Sequence, residues 1–340
     1  MGAIGYEVRS GTFVATHAMA AGVVVASSVT CVRTMDGVSH CSVVVPGVIG
    51  TPLLVGDPFE LDLDGGQGLT RVFTGKIDGV RRTPEGTRIT AADTLADLAR
   101  MDIDGSYQKT TVGGVIRDVL KRAGVEAGVI EEGPELSAYV MHRGPRALRH
   151  LQLLAERIGA DVYTDVEGAV HCTSPTAERT LVHLAYGKHL LDVALSEVHP
   201  TADAVEVWGE GAASRLGADK AHILATKLDA VNASVAFDAA GGVTPGAKGA
   251  RPLIIRDGAI RSLEAARESA AGRAIALVTR MVRGKVEILG DPAIGPADLV
   301  ALADVPETPW VLGTAPGELR VRQVRHHLST ERGYATRLGF

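Results

Sequence analysis

The chain has 340 residues, of which 46% are hydrophobic and 22% charged, so it can bury two or three domains and is not a disordered tail. Lys and Arg number 35 against 40 Asp and Glu, a net charge of −5. This balance argues against sequence-specific or coating binding to nucleic acid, which needs a basic surface. With 40 glycines but 5 Phe, 2 Trp and 6 Tyr, the sequence predicts a turn-rich fold with an aliphatic core.

The N-terminal region contains 20 residues without a charged side chain, at positions 13–32. That length could span a membrane, but the stretch holds several Thr, Ser, His and Gly residues. Its many Val and Thr residues favour β-strands. Few apolar residues precede the small residues at 18–20, and Glu7 accompanies Arg9 in the segment that would have to be basic. We therefore expect neither a transmembrane helix nor a signal peptide.

Alternation with a period of two predicts β-strands over residues 59–64, 71–78 and 87–90. In the second of these strands, Gly75 is placed where a strand can bend or bulge. Several strands at this spacing indicate a sandwich or a barrel. Three carboxylates are predicted on the solvent face of the first strand: Glu60, Asp62 and Asp64.

The period changes after residue 110. Apolar residues at helical spacing predict a helix over 112–123, with Thr110 or Thr111 as its N-cap and Gly124 as its C-terminal stop. A second helix is predicted to follow Pro145 and to end at Gly159. Alternating residues then predict a β-hairpin around 167–168. Residues 99–176 are thus predicted to form a helix–helix–hairpin unit, here called the α/β module.

Strands return from residue 177. The segment at about 209–261 contains a run of Gly, Pro and Thr residues and is predicted to be a long loop. A helix is predicted at about 262–282 because Leu and Ala residues recur at helical spacing. Strands are predicted at 285–289, 319–324 and 334–340, with Tyr334, Thr336, Leu338 and Phe340 on one face of the last strand.

No cofactor motif is complete. Gly209-Glu210-Gly211 begins a dinucleotide-binding motif, but Ser214 stands where its third glycine belongs. Gly75-Lys76 is followed by Ile77 where a phosphate-binding loop needs Ser or Thr. The sequence therefore predicts no cofactor.

No metal site is predicted either. Cys31, Cys41 and Cys172 show no CxxC spacing. Two of them follow a histidine directly, at 40–41 and 171–172, but adjacent residues on a strand point to opposite faces. We interpret the three cysteines as buried thiols of a reducing compartment.

No catalytic set is predicted. A glycosidase needs two carboxylates that face one sugar. The sequence offers two such pairs, Glu131 with Glu132 and Asp62 with Asp64, and both are expected to be solvated. On a strand, one of His326 and His327 faces the core, which is typical of a structural histidine. The sequence therefore predicts no catalytic, cofactor-binding or metal-binding residues.

Four segments together resemble one protein family. The first segment comprises residues 72–77 and 89–93, and the second comprises 111–123 and 139–143. The third, 148–163, has an LxxLxxLAE-like run ahead of a Gly-x-x-x-Tyr hairpin, and the fourth is 321–338. In this order they resemble the baseplate hub proteins of contractile injection systems, the phage late control D family, which is related to the hub part of type VI secretion spikes. The turn at 295–298 departs from the Pro-Gly-Asp of the family.

The resemblance implies a β-rich α+β fold with two tube-type β-barrel domains, at 1–98 and 177–340, and the α/β module at 99–176 between them. It also implies a homotrimer that forms a pseudo-sixfold ring between the hexameric tail tube and a separate trimeric spike protein. The resemblance further implies that the protein contacts baseplate wedge and tape-measure proteins. It also implies that the protein assembles in the host or producer cytoplasm and ends in a virion tail or an extracellular injection particle.

Two other functions remain open on the sequence. A tail-associated peptidoglycan hydrolase would need an acid–base pair. A ligand-binding β-barrel for sugars would need exposed aromatic side chains, which are scarce in this chain. The resemblance covers phage tails, bacteriocins and bacterial injection particles alike, so it leaves the kind of particle open.

Overall fold

The computed structural model describes residues 5–17, 23–35, 37–47, 49–50, 52–209, 231–305 and 318–340. Within these ranges the chain is β-rich, with four helices and five separate sheets. The prediction of a β-rich α+β fold is confirmed, whereas the arrangement in two barrels stays a prediction. None of the helices in the described ranges is long and apolar enough to span a membrane.

The first region consists of strands with alternating buried side chains. Its strands are β1 (Gly5–Ser10), β2 (Phe13–Thr16), β3 (Ser28–Thr34), β4 (His40–Pro46), β5 (Pro58–Asp64), β6 (Leu69–Thr83) and β7 (Gly86–Ala92). The strands predicted at 59–64, 71–78 and 87–90 are confirmed, and 13–32 holds β2 and most of β3. Leu61, Phe59 and Phe73 are fully buried in the apolar cluster of this region.

The predicted bulge is not at Gly75, which pairs with Phe59 in regular register. The register between β5 and β6 shifts next to Leu61, and that between β6 and β7 shifts between Ile77 and Gly79. Gly75 has a different role, because a Cβ at this position would overlap the carbonyl oxygen of Ala92 on β7. The glycine therefore allows a close approach of two strands.

The α/β module has its own apolar cluster, which also includes Leu95 and Leu98. A short helix, α1 (Leu95–Arg100), leads into the module and packs into its cluster. The elements of the module are β8 (Gly105–Thr111), α2 (Val112–Ala123), β9 (Ala127–Ile130), β10 (Glu135–Met141), α3 (Ala147–Arg157), β11 (Asp161–Thr164) and β12 (Val170–Thr173). Both predicted helices and the hairpin of β11 with β12 are confirmed. Thr111 is the N-cap of α2, since its hydroxyl accepts a hydrogen bond from the Gly114 amide, and Gly124 ends α2 with a φ of 66°.

The last region adds further strands and one long helix. They are β13 (Leu181–Ala185), β14 (Leu190–Glu197), β15 (Ala204–Gly209), β16 (Asn232–Phe237), β17 (Val243–Pro245), β18 (Pro252–Asp257), α4 (Leu263–Val278), β19 (Val282–Leu289), β20 (Leu299–Ala303), β21 (Glu318–Arg320), β22 (Gln323–Ser329) and β23 (Gly333–Gly339). Ser262 caps α4, as its hydroxyl accepts a hydrogen bond from the Ala265 amide. The helix ends earlier than predicted, because Val282 already begins β19.

The prediction of a long loop at 209–261 is wrong for its described part, residues 231–261; residues 210–230 lie outside the described ranges. β16, β17 and β18 form a four-stranded sheet with β15, in the order β17-β16-β15-β18. Small residues such as Ala233 and Ser234 make the alternation of β16 weak. The strands form because α4 packs against them and buries Val235 and Phe237, a tertiary effect.

The strand predicted at 319–324 is two strands in different sheets. β21 pairs with β20, whereas β22 pairs with β3 and β23. The chain turns between them at Val321, whose amide donates to the Asp298 carbonyl and whose carbonyl accepts from the Ala297 amide. The last predicted strand is confirmed as β23, with Tyr334, Thr336 and Leu338 buried on one face.

One sheet of eleven strands joins the first and last regions of the chain. Its order is β14-β19-β23-β22-β3-β4-β7-β6-β5-β1-β2. The connection is the antiparallel pair of β22 with β3, which runs without a register shift from the pair Gln323–Thr34 to the pair Ser329–Ser28. The predicted domains 1–98 and 177–340 therefore share a hydrogen-bonded sheet.

Candidate functional site

Cysteines and histidines on β3, β4, β12 and β22 alternate between the buried face and the opposite face of their strands. Cys31, Cys41 and Cys172 are free and buried, as predicted. His326 is 1% exposed, and its Nδ1 lies 3.0 Å from the Tyr334 hydroxyl. Burial, aided by the nearby charge of Arg33, lowers the pKa of His326 to about 3. This histidine is therefore neutral at pH 7 and part of the core.

The remaining histidine pairs follow the alternation of their strands. His327 lies on the opposite face to His326, with its Nδ1 2.9 Å from the Thr30 hydroxyl. The prediction that one histidine of the pair faces the core is confirmed. His171 likewise points away from Cys172 and lies 3.0 Å from a carboxylate oxygen of Asp165.

One of the carboxylates predicted to be solvated is not. Asp62 is 7% exposed and accepts hydrogen bonds from Arg9 and Arg71 at 2.5 Å each. It was predicted on the solvent face of β5, and it does lie on that face, but the two arginines cover it. Asp64 instead accepts backbone hydrogen bonds from Gly66 and Gly68, which lower its pKa.

Neither predicted carboxylate pair forms an acid–base site. Asp62 is held by arginines, and Glu131 accepts hydrogen bonds from the amide and hydroxyl of Ser174. Glu132 pairs with Arg117 and accepts a hydrogen bond from the hydroxyl of Thr111. In the part of the chain that the structure describes, no group of three or more His, Cys, Asp or Glu residues is arranged to hold a metal ion.

The sheet of eleven strands has an outer face, defined here as the side chains that point away from its apolar clusters. At the β1–β5–β6 end, Arg9 and Arg71 alternate with Glu60 and Asp62 in an ion-pair ladder. The centre of the outer face carries short polar side chains, among them Ser28, Thr30, Ser42 and Thr90. At the opposite end the outer face again carries charges, which include Arg325, Arg337, Glu287 and Lys285. Contacts made through this face are therefore polar.

The two ends of this sheet are β2 and β14. β2 pairs with β1 and is also bridged at Ala15 by Val24. β14 pairs with β19 and is bridged by Tyr186 only at its first residue, Leu190, so the rest of β14 is a free edge among the described residues. β14 carries apolar and acidic side chains but no basic ones, and its Leu191 is 55% exposed. A second free edge is β18 of the four-stranded sheet, where Leu253 and Ile254 are 42% and 54% exposed. Unpaired edges with exposed apolar side chains attract another strand, so they are candidates for contacts between subunits.

A buried ion cluster fixes the α/β module against the last region. Asp161 on β11 is 7% exposed and accepts hydrogen bonds from Arg280, Arg320 and Arg322 at 2.9 to 3.1 Å. Burial raises the pKa of Asp161, but the hydrogen bond and charge of Arg322, with Arg320 and Arg280, outweigh it and hold the pKa below its ordinary value. The carboxylate therefore stays charged and joins three separate segments.

The module and α4 also meet through two glycines. A Cβ on Gly159 would overlap the carbonyl of Gly272, and one on Gly272 would overlap the carbonyl of Ile158. Beside them, the guanidinium of Arg157 on α3 donates to Asp257 at 2.6 Å. Because both ionic contacts and a close backbone contact hold this junction, we expect the module to move with the last region as one unit.

The whole fold is similar to solved phage tail proteins. The 43 kDa tail protein of a Shewanella oneidensis prophage matches with a TM-score of 0.67 and 17% identity, over 99% of this chain and 98% of its own. A tail protein of Neisseria meningitidis matches with a TM-score of 0.69 and 14% identity, over 100% and 96%. This chain has a phage tail-protein fold. No protein-family model and no curated protein sequence matches it.

A secretion component has the same fold. A type VI secretion protein of E. coli, itself structurally similar to bacteriophage tail proteins, matches with a TM-score of 0.55 and 10% identity over 98% of this chain and 75% of its own. The resemblance to baseplate and tail hub proteins, inferred from four weak motifs, is thus confirmed at the level of the fold.

The sequence did not reveal the residues of the free edges or of the buried cluster. The arginine partners of Asp161 lie between 119 and 161 residues further along the chain, so no local sequence pattern predicts them. The exposed Leu253 and Ile254 stood in the segment predicted as a loop. The run Pro252-Leu-Ile-Ile was the one available signal of a strand there.

Proposed function

We propose that this chain is the structural hub of a contractile tail or injection-system baseplate and that it has no catalytic role. One observation carries the proposal above all. A chain with a tail-protein fold over its whole length has two unlike free strand edges among the described residues, β14 of the eleven-stranded sheet and β18 of the four-stranded sheet. A subunit with two different free edges suits a closed ring, because head-to-tail contacts form rings when their rotation closes.

The proposed assembly is a homotrimer. Each subunit would contribute two tube-type β-barrel domains, at 1–98 and 177–340, so three subunits would present six similar units. Such a ring matches the hexameric tail-tube protein on one face and a separate trimeric spike protein on the other. We further propose that baseplate wedge and tape-measure proteins bind it, that it assembles in the host or producer cytoplasm, and that it ends in a virion tail or an extracellular injection particle.

The assembly can be tested on the purified protein by light scattering and negative-stain microscopy. We expect a mass near three times 35.4 kDa and rings with a central hole. The same sample is then mixed with the tail-tube protein and the spike protein of the same particle, and a tube protein of an unrelated phage serves as the control. A protein that stays monomeric alone and with both cognate proteins contradicts the proposal.

A second assay addresses the absence of catalysis. The purified ring is incubated with bacterial peptidoglycan, and release of soluble fragments is measured against lysozyme as the positive control. We expect no release, because the predicted carboxylate pairs are held in ion pairs and hydrogen bonds. Release that is lost on mutation of Glu131 would favour the hydrolase instead.

A further inference from the structure

Two of the free edges of this chain complement each other in charge and in apolar character. β14 carries Asp192 and Glu197 and no basic residue. β18, with the residue just before it, carries Arg251 and Arg256 at the same separation of five residues. Asp257, the acidic residue of β18, is held by Arg157 of its own subunit. One edge is therefore acidic and the other basic.

Asp192 of the acidic edge lacks a compensating charge within the described part of its own subunit, whereas Glu197 lies 3.7 Å from the ring of His199. Asp192 stands directly opposite Glu287 on β19, and like charges in this position destabilise a sheet. Glu287 is paired with Arg337, whereas Asp192 has no ion-pair partner among the residues that the structure describes. A cation supplied from outside the subunit would therefore stabilise β14.

The basic edge is similarly incomplete. Arg256 is exposed and has no ion-pair partner within the described ranges, and the nearest carboxylate to Arg251 is Asp203 at 3.9 Å. Between the two arginines, Leu253 and Ile254 are exposed at an edge that pairs with β15 alone. Such an apolar edge is normally covered by another strand.

We infer that β14 of one copy of this chain pairs antiparallel with β18 of the next copy. The register that places Asp192 opposite Arg256 also places Glu197 opposite Arg251. It aligns apolar side chains as well, with Val193 opposite Ile255 and Leu195 opposite Leu253. Val193, Leu195 and Ile255 pack against the cores of their own sheets, whereas Leu253 is 42% exposed and would be covered by Leu195 in this contact.

This contact is head-to-tail, since it joins two different edges. It rests on the proposed function and adds detail to it, because only in a closed ring of copies is every β14 edge and every β18 edge paired with a neighbour. Each copy gives its acidic edge to one neighbour and its basic edge to the other. The contact adds main-chain hydrogen bonds, two ion pairs and apolar burial at each of the three junctions.

Charge reversal tests the pairing. We expect Asp192→Arg and Arg256→Asp, made singly, to lower the mass measured by light scattering from three chains to one, because each places like charges together. The variant with both substitutions restores opposite charges and should recover the trimer. Arg81→Asp, an exposed arginine on β6, is the matched control and should leave the trimer intact.

Disulfide trapping tests the register and does not depend on charge. Opposed residues of antiparallel strands have Cα atoms about 4.5 to 5.5 Å apart, within disulfide reach, and the native cysteines are buried. A variant with Leu195→Cys and Leu253→Cys should give a covalent trimer on mild oxidation. Each single variant alone should stay uncrosslinked, and a mixture of the two single variants should give covalent dimers.

The outcomes separate this inference from the proposed function. If the trimer forms and binds the tube and spike proteins, but charge reversal and trapping have no effect, the β14–β18 contact is wrong and the hub stands. Trapping in the single variants would show that like edges meet and would also overturn the contact. A chain that remains monomeric with both cognate proteins overturns both proposals.

Discussion

Asp161 tests how the α/β module is attached to the last region. Asp161→Asn keeps the shape of the side chain but removes the charge that Arg320 faces, and the side chain of Arg320 is only 5% exposed. Removing one partner of a buried ion pair leaves the other charge uncompensated and costs about 3–5 kcal/mol. We expect this loss in the free energy of unfolding measured by urea denaturation at fixed protein concentration.

The matched control is a carboxylate in an exposed pair. Asp97 pairs with Lys76 at 2.7 Å, and both side chains are at least 40% exposed, so Asp97→Asn should cost at most about 1 kcal/mol. Adding Arg320→Met to Asp161→Asn should recover part of the lost stability, because it removes the uncompensated charge. If Asp161→Asn costs no more than the control, the cluster does not hold the module in place.

The pH dependence of the same variant gives an independent check. Folding lowers the pKa of Asp161, so the stability from this carboxylate is complete above the unfolded pKa of about 3.9 and decreases as the pH falls through the folded value. Asp161→Asn should therefore lose less stability than the native chain over that acid range. An unchanged acid profile would contradict the assigned pairing.

Three further changes have defined expectations. In the native chain, the lowered pKa of His326 means that only the unfolded state binds a proton at this residue between about pH 6.5 and 3. The free energy of unfolding should therefore decrease by up to about 1.4 kcal/mol per pH unit as the pH falls through this range. His326→Gln removes this proton uptake and should make that decrease smaller. The readout is urea unfolding across that range, and an unchanged slope would refute it. Gly272→Ala should cost about 1–3 kcal/mol through overlap with the Ile158 carbonyl, and a thermal melt equal to that of the native chain would contradict the close contact. Thr111→Ala should cost about 1 kcal/mol through the lost cap of α2, whereas Thr110→Ala should be near neutral; equal unfolding midpoints for the two variants would be the contrary result.

Local signals were sufficient where an element is complete in itself. The helix over 112–123 could be predicted because its apolar stripe, its Thr cap and its terminal glycine lie within fifteen residues of sequence. The hairpin of β11 and β12 has its turn between its own strands. Such elements depend on residues close to one another in the chain, so their pattern can be read from a single sequence.

Tertiary effects explain what the sequence did not show. β16 has too many small residues for clear alternation, and it becomes a strand because α4 covers it. The helix α4 was predicted from its own Leu and Ala spacing, but that pattern does not show which strands it covers. The pairing of β22 with β3 and the arginines around Asp161 depend on residues far apart in the chain, and no pattern within one window encodes such contacts.

The pair of β3 with β22 also sets an order of events during synthesis. Val29 on β3 has Leu328 as its partner, and ribosomes add about 5–20 residues per second. β3 therefore waits on the order of 15 to 60 seconds for its neighbour, with one edge unpaired for all of that time. In a cell that makes many copies at once, the nascent chain is exposed to pairing with other copies during this interval. We expect its yield to depend on chaperones that shield β3 until the last strands emerge.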